Sequence, residues 1–342
     1  MKLTRIMQTV CLLALACGML AGCKKEASVK GGILFSASSK AEATRTAYSG
    51  EGQTSSGALT KERIDWVEND LITIWSDKAV NYTTGNTWGD FSILTVTTDD
   101  TGLRSKATLK PVDVKSLQWG AEDTYQFYAR YPADDTKIDG TSMTATIPAT
   151  QQMVQTATGA WVPDMQYAYM FAKATAANTT DPVELDFAPV FTALQFEIGA
   201  GGNGEAKVES FKLTSSSDAL AGDFTVACAT GVASSSSTTK TLTMDVSNRS
   251  DDGKLVIVGG GDPITLTLFA LPQDFTNLTL EVVGTPFGTR TLKLADKEGS
   301  MIEFKGGKKY WIKGLDLPEL LEASGENINW DVEARGESIY WD

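Results

Sequence analysis

The chain has 342 residues, with 30 basic against 43 acidic side chains and no histidine, for a net charge of −13. Lacking histidine, it has no Ser-His-Asp or Cys-His catalytic arrangement, and the commonest protein metal ligand is missing. The acidic balance, without a lysine and arginine cluster, speaks against binding phosphate backbones, so no nucleic-acid partner is expected.

In chain order, Met1 to Gln8 carries Lys2 and Arg5, Thr9 to Met19 is apolar, and small residues follow. This is the layout of an export signal. The apolar run is too short and interrupted for a bilayer-spanning helix, which needs about 20 residues. Leu20-Ala21-Gly22-Cys23 fits a bacterial lipobox, in which diacylglycerol is joined to the cysteine through a thioether and residues 1–22 are cut away. An ordinary secretory signal with an incidental cysteine is the alternative. The expected modification of Cys23 is a covalent diacylglycerol with an N-acyl chain such as palmitate. Each buried methylene contributes about 0.8 kcal/mol, so such chains hold a protein at a membrane surface without spanning it. Loss of residues 1–22 removes Cys11, Cys17, Lys2 and Arg5, leaving 28 of the 30 basic residues against 43 acidic ones. Only Cys23 and Cys228 then remain. With the first acylated, no intramolecular disulfide forms, and Cys228 in "DFTVACAT" is expected to pack as a small apolar residue on a strand.

Residues 23–47 are rich in Lys, Glu, Ala, Ser and Thr and read as a tether or pro-segment. Its one apolar patch, "GGILFSASSK", predicts a strand around Ile33, Leu34 and Phe35. Beyond it come short period-two segments separated by Gly, Asn, Asp and Pro turns. "DLITIWSD", Phe91 to Thr97, "TYQFYARYP" and "SMTATIP" fall in the first half. "PVELDF", "TALQFEI", "VESFKLTS", "GDFTVA", "KTLTMDVS", "KLVIVGG", "ITLTLFALP", "LTLEVVG", "RTLKLA" and "KKYWIKGLDL" fall in the second. The pattern predicts an all-β chain of two tandem, mostly antiparallel β-sandwich domains, residues 48–182 and 183–342, joined near Pro182. Short helices are candidates only at Pro318 to Ala323 and around Pro111 to Leu117. "ATGVASSSSTTKT" looks like a long hairpin loop. "NRSDDGK" lacks the spaced ligands of a calcium loop, and neither "GGGDP" nor "GAGGNG" opens a helix with a phosphate-binding Lys-Ser/Thr.

Several stretches, taken in order, resemble the fimbrillin family, the subunits of the type V pili of Bacteroides-type bacteria. They are the lipobox, "TRTAY" from Thr44 to Tyr48, "WVENDLITIW", "QFYARYP", "VELDFAPVFTALQFEI", "LFALPQDF" and "FKGGKKYWI". Asn69 stands where the family usually has glycine, and Pro189 where many members carry histidine. The resemblance implies a structural and adhesive subunit of a cell-surface fimbrium that reaches the outer membrane as a lipoprotein and is not an enzyme. It further implies cleavage by an arginine-specific protease ahead of the first domain, release of an N-terminal strand, and entry of a strand from another subunit into the vacated groove. Carried onto this sequence, Cys23 takes the lipid and Arg45 and Thr46 flank the scissile bond, Arg45 being the only arginine between Cys23 and Arg63. Ile328, Trp330, Val332, Ile339 and Trp341 sit on two C-terminal donor strands. The implied partners are other pilus subunits, the protease, the membrane through the lipid, and a host or bacterial surface ligand. No cofactor or metal is implied apart from the lipid.

Two other classes fit the residues. One is a lipid-anchored glycan-binding β-sandwich protein that stacks sugars on Trp88, Trp119 or Trp161. The other is a glycosidase built on two carboxylates across a cleft.

Overall fold

Alternating apolar and polar residues drive nearly every element of the computed structural model into strands with one buried and one wetter face. The structure describes residues 32–39, 47–49, 63–66, 68–81, 90–97, 106–112, 116–155, 161–199, 204–249, 253–294 and 302–317. Among them the fold is all-β, as the patterning predicts, with three short 3-10 turns as its helical content. Residues 1–32 and 33–342 separate into two units, and the account below concerns the second. Of the stretch from Pro111 to Leu117, where a short helix is expected, Pro111 ends the strand Lys106–Pro111 and Leu117 opens the short strand Leu117–Gln118, and residues 113–115 lie outside the described residues. The other expected helix, at Pro318 to Ala323, lies outside the described residues.

Seven strands close into a barrel. Around its wall they run Phe35–Ser39, Val183–Pro189, Met170–Ala177, Thr124–Tyr131, Leu71–Ser76, Asp90–Thr97 and Lys106–Pro111, which returns to Phe35–Ser39. Val183–Pro189, the strand that follows the expected junction near Pro182, is a member of this barrel. Alternation fills the interior: Tyr125, Phe127, Ala129 and Tyr131 on one strand and Ile72 and Ile74 on its neighbour are buried. Outside, the small sheet of Ser142–Ile147, Gly222–Ala227 and Ala233–Ser234 provides a partner for Arg130, and Ala229 in the turn between its last two strands accepts from Lys173. Arg130 is buried, donates from Nη1 to the Thr144 carbonyl at 3.2 Å, and lies over the Tyr169 ring. Gly140, at φ +77°, lies so close to the Trp75 ring that an added Cβ would sit 2.0 Å from it. A side chain there would clash as well as strain the backbone.

Downstream, a seven-stranded sheet runs Trp161–Pro163, Thr150–Gln155, Thr241–Asp245, Glu205–Ser215, Leu278–Thr285 and Gly288–Lys293, with Leu255–Val258 also paired to Glu205–Ser215. A three-stranded sheet, Ile264–Ala270, Thr192–Gly199 and Lys309–Asp316, packs against it, with Phe196 edge-on to Phe211 at 5.0 Å. In Glu205–Ser215 the buried positions shift phase, from Ala206 and Val208 to Phe211 and Leu213. An irregularity in the pairing with Leu278–Thr285 falls between Val208 and Ser210. A bulge there keeps both halves of the strand facing the core. The serine-rich loop is held by its own hydroxyls: Ser235 Oγ donates to the Asp223 carbonyl and Ser237 Oγ to that of Ala221, both at 2.5 Å.

The two halves of the sequence interleave. Thr150–Gln155 runs parallel to Thr241–Asp245, and Gln151 ties it to the strand Ile264–Ala270 as well. Its buried amide accepts from Phe269 N–H at 2.8 Å and donates to Phe269 C=O at 2.7 Å, so it pairs like a piece of backbone. Removing that amide orphans two buried main-chain groups, each expensive to leave unpaired. Gln151→Ala is therefore expected to lower the unfolding free energy by about 2–4 kcal/mol, measured as a drop in the denaturant midpoint.

Candidate functional site

Between Lys106–Pro111 and Val183–Pro189 the barrel has a slot one strand wide, and Phe35–Ser39 fills it. It pairs antiparallel with the first, Phe35 opposite Leu109 and Ser38 opposite Lys106, and parallel with the second, Phe35 opposite Val183 and Ser39 opposite Phe187. Just upstream, Val183 N–H donates to the Leu34 carbonyl and Ile33 N–H to that of Leu117, both at 2.8 Å. Main-chain bonds of this kind ignore side-chain identity, so the slot can hold any extended segment whose side chains suit it.

Side chains supply the selectivity. Ile33, Phe35 and Ala37 alternate into the core and are buried, whereas Leu34 between them is 57% exposed. Phe35 meets Phe127 edge-on at 5.2 Å, and Phe127 is flanked by Trp119 and Tyr125. Burying a side chain such as Phe or Ile contributes about 1.5–3 kcal/mol, so Ile33 and Phe35 give the strand most of its hold. Ser38 donates to Asp186 Oδ1 at 3.0 Å. Lys106 Nζ lies 3.0 Å from Glu184 Oε1 and holds that carboxyl below the usual carboxylate range. These polar contacts join residues on all three strands of the slot.

Further along, Ala47–Ser49 pairs antiparallel with Arg63–Asp65. Arg45 and Thr46 fall in the sequence between this ribbon and the slot strand. Those two residues, Cys23, and Ile328, Trp330, Val332, Ile339 and Trp341 all lie outside the described residues. "GGILFSAS" was legible as a strand, but its insertion between two others was not, because the partners lie far off in the chain.

The other readings meet obstacles in the geometry. Trp119, expected as an exposed sugar platform, is buried and donates from Nε1 to the Thr179 carbonyl at 3.0 Å. Trp161 packs half-buried against the core, and Trp88 lies outside the described residues. A glycosidase acid requires a raised pKa. Glu184, Glu209, Asp245 and Asp274 move the opposite way, held low chiefly by Lys106, Lys254, the Ser247 hydroxyl and the Gly306 N–H respectively. Burial pushes the Cys228 thiol up to about 12, which suits a packed core residue and not a nucleophile. Among the described residues no group of three or more acidic or cysteine side chains is placed to hold a metal ion.

An all-β scaffold whose barrel is completed by an N-terminal strand is the class of protein that this fold and site define. The fimbrillin-like family model matches residues 46–325, and the chain belongs to that family. No curated protein matches the sequence. Among solved structures, it is similar to a Bacteroides ovatus protein assigned to cell adhesion, at 17% identity and TM-score 0.51, covering 83% of this chain and 91% of that one. A Bacteroides uniformis protein with the same assignment is 17% identical, at TM-score 0.47 and 83% and 91% coverage. A fimbrial assembly protein from Parabacteroides distasonis is 10% identical, at TM-score 0.38 and 84% and 92% coverage.

Two outcomes follow for the slot. Phe35→Ala empties the space beside Phe127 and is expected to lower stability by about 3–5 kcal/mol, with hydrogen exchange at residues 35–39 accelerating most. Because the Glu184 carboxyl is lowered in the folded chain, its pairing with Lys106 stabilises above the unfolded carboxyl's pKa. That contribution fades as pH falls through the lower folded value. Lys106→Met is therefore expected to lower the thermal midpoint at neutral pH and to leave it nearly unchanged at strongly acid pH.

Proposed function

We propose that this protein is a structural and adhesive subunit of a type V pilus on the cell surface, exported as a lipoprotein through Cys23. It matures by cleavage after Arg45 and polymerises by donor-strand exchange. The observation that carries this reading is the slot strand. Phe35–Ser39 lies upstream of Arg45 and is inserted between two strands that both follow it in the chain. Hydrolysis of the Arg45–Thr46 bond cuts the covalent link between the slot strand and the rest of the scaffold. The released piece carries Cys23 and its lipid. Membership of the fimbrillin-like family supports assembly with other pilus subunits.

Three of the other arginines are poor targets: Arg63, Arg130 and Arg290 lie in hydrogen-bonded strands, where a protease cannot grip an extended segment, whereas Arg249 ends the 3-10 turn Ser247–Arg249 and Arg104 and Arg335 lie outside the described residues. Arg45 sits among small and polar residues, Ala41 to Gly50, the composition of preferred nicking sites. Incubating the full chain with an arginine-specific protease is expected to yield ordered multimers whose N-terminal residue is Thr46, and Arg45→Ala is expected to remain monomeric. An uncut or merely degraded wild-type monomer would overturn the proposal.

A further inference from the structure

On the outer face of the barrel, three neighbouring strands bring six side chains into two rows. Trp75, Tyr128 and Lys173 stand opposite one another across Leu71–Ser76, Thr124–Tyr131 and Met170–Ala177. In the next row Gln126 stands opposite Thr175, and Asp77 follows Trp75 at the end of its strand. Burial, then the nearby Cys228 and Asp77, raises the Tyr128 phenol above its ordinary pKa, which sets Asp77 near that ring. Lys173 and Thr175 are exposed and the other four half-buried, so the patch is open to a partner. Outward neighbours lie about 7 Å apart along a strand and about 5 Å apart between strands, which gives the patch the footprint of a small oligosaccharide.

The patch is rigid, and much of its hydrogen-bonding capacity is unused. Tyr128 lies between Trp75 and Phe171 in near-parallel ring contacts, with centroids 5.9 and 6.5 Å away. Gly140 backs Trp75, and the neighbouring Thr141 carbonyl accepts from Cys228 N–H at 3.0 Å, joining the two loops beside the rings. Asp77 Oδ1 is buried with no hydrogen-bond partner, which is costly for a carboxylate oxygen; Lys78 beside it pairs with Glu122 instead, at 3.6 Å. Gln126 Oε1 accepts from Thr175 at 2.9 Å, while its amide N–H groups and the Tyr128 hydroxyl have no partner among the described residues. Lys173 Nζ donates to the Ala229 carbonyl at 2.8 Å and has further donors to spare. From this arrangement we infer that the patch binds a neutral saccharide, an inference that rests on the adhesive part of the reading above and not on strand exchange. Charge selects the class. Asp77 and Lys173 mark opposite corners, so a cation suited to the first is disfavoured by the second, and an anion the reverse. Sugar hydroxyls both donate and accept: they supply the donor that Asp77 Oδ1 lacks and accept from Gln126 and Lys173. Trp119 and Trp161, expected from the sequence as sugar platforms, lie elsewhere in the fold. Repetition of the patch along a fibre multiplies a weak single-site affinity.

Titration of the uncut full chain with lactose, cellobiose and N-acetyllactosamine, with sialyllactose and trilysine as charged comparisons, tests the inference. Saturable binding of at least one neutral sugar is expected, tighter than that of either charged probe. Asp77→Ala is expected to weaken it at least about tenfold, given what a hydrogen bond to a charged group contributes, and Gln126→Ala by several-fold. Thr291→Ala, on the exposed face of the other sheet, is expected to leave it unchanged. Because Asp77 Oδ1 has no partner to lose, Asp77→Ala is also expected to keep or raise the thermal midpoint. No neutral sugar bound at millimolar concentration, tighter binding of sialyllactose or trilysine, or an Asp77→Ala chain that binds as before would each overturn the inference and leave pilus assembly standing. A chain that binds the sugar yet fails to assemble when cleaved would overturn strand exchange and leave this inference intact.

Discussion

Hydrogen bonding of Phe35–Ser39 along both of its edges is the constraint on which closure of the barrel depends. A closed barrel has no exposed strand edge, and an exposed edge is a template for pairing with another chain. Here closure is supplied by a segment that enters from the N-terminal side and meets its neighbours only through long-range contacts. Without that segment, Lys106–Pro111 and Val183–Pro189 would each present a row of unpaired N–H and C=O groups beside an opened apolar channel. The same strand therefore governs how completely the barrel of the single chain is closed.

The remaining scaffold has holds of its own. The other six barrel strands follow one another as antiparallel neighbours. Arg130 anchors their outer face to Thr144, and Trp75 lies against Gly140. The Gln151 amide, bonded to both main-chain groups of Phe269, ties a strand from the first half of the sequence into the sheets of the second. None of these contacts involves Phe35–Ser39, so loss of that strand removes one wall segment and leaves the interleaved core in place.

Strand identity was legible wherever large apolar residues alternate with polar ones, as in Leu71–Ser76, Thr124–Tyr131 and Thr192–Gly199. It was not legible in Met170–Ala177, whose Ala and Thr residues give alternation too weak to see, although this strand lies inside the barrel wall. Thr150–Gln155 was hidden differently: its inward residue Gln151 is polar, and only the pairing with Phe269 explains its burial. Pairing partners were the other blind spot. Period-two patterning says which face of a strand is buried but not which strand lies beside it, and the parallel alignment of Phe35 with Val183 spans most of the barrel's sequence. The slot strand itself was visible from Ile33, Leu34 and Phe35, while the aromatic wall of Phe127, Trp119 and Tyr125 that receives it emerged only in three dimensions.

Exchange of one strand for another in such a slot leaves the main-chain hydrogen bonds nearly balanced, since each segment forms the same bonds with the same two neighbours. The net drive must come from what differs. Side chains would differ at the inward positions, where Ile33, Phe35 and Ala37 now stand, and the fit of each segment there sets how much apolar surface it buries. Concentration differs too, because an intact chain holds its own strand at high effective concentration, whereas a cleaved strand, once it leaves, is diluted. In the proposed maturation, covalent attachment would keep the uncut chain closed against competing strands, and cleavage of one peptide bond after Arg45 would change that balance without altering any contact inside the slot.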